Sequence, residues 1–277
     1  MFDVNIVIVN YNMKDDIGRC LASLYQDIKD SYLNVNVVVV DNASTDGSGD
    51  FIRSHYPEVK YLEQKTNHGF GFSQNVGLSS AEAKYYFVLN PDTYFFPNEG
   101  SVKKLFDFME KEPKIGIVGP KLLYPDGSLQ YSCYRFQSFW QPLLIRTNIA
   151  KKKGEQYRHY FNMKGFDHLR TRPVDWVMGS AMFIRGSALG EVGKFDERFW
   201  MYFEDSDLCR RFWEKGWLVY YFPDVTIEHA HTRSSAAIPG AVTPLLKNKL
   251  ARVHVASWIK YMWKWRGNNK FYESRKK

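Results

Sequence analysis

Three groups of polar residues in this chain have the types and spacing that chemistry requires. Asn90-Pro91-Asp92 ends an apolar run, Tyr85-Tyr86-Phe87-Val88-Leu89, and presents one carboxylate. A carboxylate at such a strand end can hold a divalent metal that bridges phosphates, or it can simply cap the turn. Glu204-Asp205-x-Asp207 crowds three acids beside Phe199, Trp200, Tyr202 and Phe203. Acids in a helix's first turn answer the helix dipole, but a low-dielectric wall beside them is also a way to tune a general base. His229 and His231 point the same way if their segment is extended. One of them is a candidate metal ligand alongside Asp92; the alternative is a surface or hydrogen-bonding histidine.

The elements that must position these groups follow from the apolar pattern. Residues 4–9 and the valine-rich 35–40 are predicted strands, 59–62 a shorter one and 85–90 a fourth. Helices are predicted over 14–27, up to His55 after the polar loop 41–48, and around 73–78. The order β-α-β-α-β-α-β demands a parallel sheet with right-handed crossovers. Its strand-end loops, Asn10-Tyr11-Asn12, Asp41 to Ser48 and Asn90 to Thr93, then share one edge, where ligands of open α/β sheets bind. Asn67-x-Gly69-x-Gly71 lies near the same rim, its glycines permitting close backbone approach. Acids, amides and glycines gathered there suit a nucleotide with its phosphates. No G-x-G-x-x-G follows the first strand and no G-x-x-x-x-G-K-[ST] occurs, which excludes the dinucleotide fingerprint and the simplest ATPase.

Further on, a helix is predicted over 99–111, strands over 115–118 and 217–222, a turn into a strand over 174–185, and a helix from the Glu204 cluster to Gly216. Residues 120–175, with Lys151-Lys152-Lys153, read as a variable segment, a lid or an acceptor-facing surface. Residues 244–266 read as an amphipathic helix with Trp258, Tyr261, Met262 and Trp265 on one face. That basic, aromatic tail suits either an anionic membrane surface or packing on the domain or in a homodimer interface.

Composition narrows the classes. With 277 residues, 44% hydrophobic and 17% aromatic, the chain can build a substantial core. The formal net charge of +8 is local: 247–277 holds ten of the 38 Lys and Arg but one of the 30 acids, leaving 28 basic against 29 acidic residues elsewhere. A near-neutral body offers no extended basic groove for nucleic acid. Cys20, Cys133 and Cys209 are scattered, odd in number and without CxxC, as expected for a reducing, cytoplasmic compartment. The first residues lack a basic n-region, and no stretch approaches the roughly 18 apolar residues of a bilayer span.

The motifs Val9-Asn10-Tyr11-Asn12, Val40-Asp41-Asn42-Ala43-Ser44-Thr45-Asp46-Gly47-Ser48, Asn67-x-Gly69-Phe70-Gly71-x3-Asn75-x-Gly77, Leu89-Asn90-Pro91-Asp92 and Phe195-Asp196-Glu197-x-Phe199-x3-Phe203-Glu204-Asp205-x-Asp207-Leu208-x2-Arg211 occur in that order. Together, across residues 3–235, they resemble the inverting family 2 glycosyltransferases of GT-A fold, in their rhamnosyltransferase-like branch. The resemblance implies a mostly parallel central sheet flanked by helices, with a GT-A domain over 1–240 and the tail over 241–277. Within that domain 1–119 would bind the nucleotide sugar and 120–240 would form the acceptor side. Asp41 would meet the nucleotide base, with Asn10, Asn12, Asn67, Gly69, Asn75 and Asn90 lining the donor site. Asp92 stands in the family's metal motif, whose first acid is here Asn90, so Mg²⁺ or Mn²⁺ would be held by Asp92, donor phosphates and His229, with His231 as second choice. Glu204 and Asp205 match the acidic pair that supplies the catalytic base, and Asp205 is chosen. Trp176, Gly179 and Asp207 are expected on the acceptor side.

The implied reaction moves a sugar, L-rhamnose from dTDP-L-rhamnose in this branch, to a glycan or polyprenyl-diphosphate-linked acceptor at the inner membrane face. A UDP-linked hexose fits the same motifs. A sugar-nucleotidyltransferase would need a glycine- and lysine-rich loop after Val9, which is absent. A non-catalytic sugar- or lipid-binding subunit would have no need of Asp92 and the Glu204 cluster.

Overall fold

The computed structural model describes residues 1–137, 151–230 and 248–267. His231, the second-choice metal ligand, and residues 244–247 of the expected tail helix lie outside them. The chain opens with β1 (Phe2–Asn10), α1 (Lys14–Ile28), β2 (Val35–Asp41), α2 (Ser48–His55), β3 (Lys60–Glu63), α3 (Phe70–Leu78) and β4 (Ala83–Leu89). It continues through β5 (Thr93–Phe95), α4 (Ser101–Lys111), β6 (Ile115–Leu123), β7 (Leu129–Gln130), β8 (Cys133–Tyr134), α5 (Lys151–Phe161), β9 (Arg172–Pro173) and β10 (Trp176–Val177). Then come β11 (Ala181–Arg185), α6 (Gly186–Val192), α7 (Glu204–Glu214), β12 (Leu218–His229) and α8 (Lys249–Lys264).

The principal sheet runs β3-β2-β1-β4-β11-β6-β12-β5. Its first four strands are parallel, as the alternation of strands and helices requires. Beyond them β11 is antiparallel to both β4 and β6, while β12 is parallel to β6 and antiparallel to β5. Alternate residues of β1 explain the two layers. Val4, Ile6 and Ile8 face Ile17, Leu21 and Leu24 of α1, with Leu105 and Met109 of α4 in the same cluster. Val7 and Val9 face the other way, into a cluster with Leu78 of α3 and Leu208 and Phe212 of α7. Helix α3 lies so close to the sheet that a Cβ on Gly77 would sit 2.1 Å from Val7 Cγ1.

One strand differs from expectation for an identifiable reason, and the aromatic stripe of the tail helix follows one of its two readings, packing on the domain. The strand predicted to stop at Phe222 runs on to His229, with a register shift between Phe222 and Thr226. Pro223 cannot donate to the ladder, so a local irregularity looks in sequence like a strand end. The tail helix forms over Lys249–Lys264 and is capped by Asn248, whose side chain accepts from the Leu250 and Ala251 amides. Its aromatic stripe turns inward: Tyr261 clusters with Phe199 and Phe203, and Trp258, Met262 and Trp265 pack against them. Those four residues therefore serve packing, not a bilayer. Among the described residues no helix is long and apolar enough to cross a membrane.

Candidate active site

The parallel half of the sheet delivers the expected donor residues to one edge. Asn10 and Asp41 are the last residues of β1 and β2 and are register partners. Asn10 Nδ2 donates to Asp41 Oδ2 at 2.9 Å, and the Ser44 amide donates to Asp41 Oδ1 at 2.7 Å. The carboxylate is thus aimed rather than merely present. Asn10 Oδ1 is buried without a partner, an unmet acceptor at the site. Asn12 is exposed, at φ +52°, and its Oδ1 accepts from the Thr45 amide at 2.7 Å, so it shapes the loop after β2. Asn67 belongs to a second loop. Its Oδ1 accepts from Asn42 Nδ2 and the Gly69 amide, both at 3.0 Å. Gly69, at φ +88°, leaves no room for a side chain, because a Cβ would stand 2.1 Å from the Trp200 carbonyl oxygen. Asn75 points elsewhere: its amide donates to Phe195 O and Glu197 Oε1 and accepts from the Phe195 N–H, all at 2.9 Å. It ties α3 to the 195–197 segment, so its link to a donor would run through that segment rather than through its own amide.

On the same edge, β4 ends at the Asn90–Thr93 turn and β12 ends at His229. Asp92 is 7% exposed and His229 1%, with Asp92 Oδ1 and His229 Nε2 3.3 Å apart. Gln130 Oε1 lies 2.7 Å from His229 Nδ1. With the Nδ1 proton donated there, Nε2 turns its lone pair toward Asp92, and a carboxylate orienting the opposite ring edge of a ligating histidine has the same effect. Two acceptors facing each other so closely call for a proton or a cation between them. Octahedral bonds near 2.1 Å put neighbouring ligand atoms about 3 Å apart, so the pair fits two positions on one small divalent ion. Among the described residues no group of three or more His, Cys, Asp or Glu is arranged to hold a metal. The remaining positions would fall to donor phosphates and water. Asn90 Nδ2 faces the same Nε2 at 3.4 Å, and its backbone N–H donates to Ser180 O at 2.9 Å.

That last bond leads to the acids. Gly179, next to Ser180, donates its N–H to Asp205 Oδ2 at 3.0 Å, while the Ser206 N–H donates to Asp205 Oδ1 at 2.7 Å. Asp205 keeps some contact with solvent, yet the protein surrounding its carboxylate pushes the pKa up to about 6, with the two N–H donors holding it back. Burial raises Glu204 well above the ordinary carboxylate range, and the neighbouring Asp205 charge adds to the rise. Glu204 Oε2 is buried without a partner. The two acids therefore differ in setting: burial and the adjacent Asp205 charge disfavour ionisation of Glu204, whereas both Asp205 oxygens are oriented by N–H donors that favour its charged form.

The expected acceptor residues divide too. Gly179 lies against Asp205; a Cβ there would be 3.3 Å from Asp205 Cβ. Trp176 is buried, stacked on Tyr134 at 4.5 Å, and donates its indole N–H to Arg135 O, which is a packing role. Asp207 departs from the acceptor side altogether. It is fully buried, its carboxylate accepting from Arg211 Nε, Lys264 Nζ and Trp265 Nε1. Two residues along a helix is about 200° of rotation, so Asp205 and Asp207 face nearly opposite ways. Gln130 and Asn42 escape sequence reasoning. Asn42 at least adjoins Asp41 in a recognisable loop, but nothing about a glutamine in the two-residue strand β7 signals that it orients a histidine.

Comparison with known proteins identifies the family and the fold. An N-acetylglucosaminyl-diphospho-decaprenol L-rhamnosyltransferase of Mycobacterium tuberculosis is 32% identical over 251 residues, 85% of this chain and 78% of its own. Rhamnosyltransferase WbbL of Escherichia coli is 26% identical over 270 residues, 94% of this chain and 92% of its own. A mannosyltransferase of Pyrobaculum calidifontis, solved with GDP-Man and Mn²⁺, superposes with a TM-score of 0.57 at 18% identity, over 84% of this chain and 58% of its own. That likeness establishes the GT-A fold. The model of the family described as glycosyl transferase family 2 matches residues 5–176, and the chain belongs to that family.

Proposed function

We propose that this glycosyltransferase moves L-rhamnose from dTDP-L-rhamnose to a hydroxyl of an N-acetylglucosaminyl-diphosphoprenol acceptor, inverting the anomeric centre and using Mg²⁺ or Mn²⁺. The observation that carries the mechanism is the Asn90–Thr93 turn, which joins two half-sites. On one flank Asp92 meets His229 at 3.3 Å; on the other, the Asn90 N–H meets Ser180 O beside the glycine that holds Asp205. A metal held by Asp92 and His229 would neutralise charge growing on the departing nucleoside diphosphate. Asp41, oriented by Asn10 and Ser44, accepts the imide N–H of a pyrimidine base. Asp205 takes the proton of the acceptor hydroxyl as that oxygen attacks the anomeric carbon from the face opposite the leaving group. One displacement inverts the centre.

Membrane contact shifts to new residues. Ile259 and Trp263 are 55% and 68% exposed on the outer face of α8, one turn apart, and Arg266 stacks on Trp263 at 3.5 Å. A ring beside a cation on an outward helix face suits the headgroup level of an anionic bilayer, where a polyprenyl acceptor resides.

The test is a thermal-shift panel of nucleoside diphosphates and nucleotide sugars with and without Mg²⁺ or Mn²⁺, followed by transfer to a GlcNAc-diphosphoprenol analogue. Metal-dependent stabilisation by dTDP species, about 2.7 kcal/mol at a hundredfold excess over Kd, with rhamnosyl transfer, is the expected result. Preference for UDP species, whose base offers Asp41 the same imide, would replace the donor. No response to any nucleotide would overturn the reading.

A further inference from the structure

The base follows a strained turn, and the C-terminal helix holds that turn at every step. Tyr202 and Phe203 sit at φ +69° and +71°, a left-handed conformation that bulky side chains rarely adopt unless their surroundings impose it. Glu204 and Asp205 come next. Helix α8 lies across the segment. Ser257 Oγ donates to Met201 O at 2.8 Å. The His254 ring lies 5.1 Å from Tyr202 and 5.2 Å from Phe203, and Tyr261 lies 5.4 Å from Phe203. Beyond Asp205, Lys264 Nζ bridges Asp196 and Asp207 at 2.7 Å to each, and Trp265 Nε1 donates to Asp207 Oδ1 at 2.9 Å.

A helix whose only task was to cover apolar surface would not need to place a hydroxyl on the Met201 carbonyl, or an ammonium on a fully buried carboxylate two residues past the base. We propose that α8 is a positioning element for catalysis, with Ser257 and Lys264 clamping the 201–203 turn and the first turn of α7 so that Asp205 stays aimed at the acceptor hydroxyl. Both act through Asp205, and the proposal rests on Asp205 being the base. The donor residues of β1, β2 and β4 lie outside the clamp. Loosening it should slow turnover and leave donor binding intact, and displacement by about 1 Å is enough to slow a reaction some hundredfold.

The experiment uses the full chain with Ser257→Ala, Lys264→Met, Lys264→Arg and Asp205→Asn. Ser257→Ala removes one hydrogen bond in a helix and keeps the question answerable if Lys264→Met fails to fold. The rate is referred to enzyme able to bind dTDP with Mn²⁺. Expected are a kcat lowered about tenfold in Ser257→Ala and Lys264→Met, a donor KM within about twofold of the parent, and recovery of most of the loss in Lys264→Arg. Parental kcat in both clamp variants, with Asp205→Asn inactive, would overturn the clamp and leave the base standing. Donor affinity falling in step with kcat would overturn it in favour of plain destabilisation. An active Asp205→Asn would remove the base and the clamp together.

Discussion

The contrast between Glu204 and Asp205 yields a pH prediction that separates them. Asp205 titrates at about 6 in the folded chain. As a base it must be ionised, so about 91% of the enzyme is competent at pH 7 and about 9% at pH 5, a tenfold fall in kcat on the acid side. Glu204→Gln should leave that limb in place, because burial and the adjacent Asp205 charge already disfavour the ionised form of Glu204 that a glutamine cannot adopt. Asp205→Asn should lower kcat by about a hundred- to ten-thousandfold, and the residual rate should lack the limb, which distinguishes Asp205 from any other group titrating near 6. The assay is initial transfer rate at saturating donor and metal from pH 4.5 to 8.5. A flat parental profile between pH 5 and 7, or a limb that moves in Glu204→Gln, would refute the division of roles.

Stability supplies an independent reading of the same carboxylates. Asp205 is raised in the folded state from 3.8 to about 6. A raised carboxyl favours the folded state fully below its unfolded pKa, and that contribution is lost as pH rises through the folded value. For Asp205 the window is pH 4 to 6, and a shift of this size has a ceiling of about 3 kcal/mol, reduced by its partial exposure to about 1–2. Glu204 acts in the same direction over a range beginning near 4.5. Glu204→Gln should therefore be more stable than the parent above neutrality and equal to it at pH 4, as read by urea melts at each pH.

Other parts of the site give shorter tests. Gln130→Leu deprives His229 of its 2.7 Å partner and should raise the metal concentration for half-maximal activity about 10–100-fold, read by Mn²⁺ titration. Gly69→Ala puts a methyl 2.1 Å from the Trp200 carbonyl oxygen at φ +88° and should destabilise the chain by at least about 2 kcal/mol in urea melts. Replacing exposed Ile259 and Trp263 together with serine should abolish co-sedimentation with anionic vesicles while stability stays within about 1 kcal/mol.

What was legible in the sequence was whatever local rules decide. Alternation of strands and helices dictates a parallel sheet, and it correctly brings Asn10, Asp41 and Asn90 to one edge. The Glu204 cluster begins a helix as its acids and the later Gly216 indicate. Long-range pairing was hidden. An amphipathic stripe of Trp258, Tyr261, Met262 and Trp265 has the same spacing whether its partner is lipid or Phe199, and three neighbouring acids do not disclose that Asp207 answers to Lys264 from 57 residues away. Asn75 shows the converse, since a motif position suggestive of ligand binding has its amide engaged by the protein's own 195–197 segment.

The least legible feature explains how the site is assembled. The proposed donor residues come from the ends of parallel strands, which present only their carboxyl ends to that edge. The proposed base, from later in the chain, needs a route to the same place. Strand β11 supplies it by running antiparallel beside β4, with Ala181 paired to Leu89. In that sense its entry, not its exit, lies at the carboxyl end of β4, so Ser180 sits over Asn90 and receives its N–H at 2.9 Å. Gly179, one residue earlier, then reaches Asp205 at 3.0 Å. A parallel β11 would put its entry at the opposite edge and separate Gly179 from the Asn90 turn by the length of the strand. The reversed direction of β11 is thus what sets the Asn90 turn, which carries Asp92, one residue from the glycine that holds Asp205.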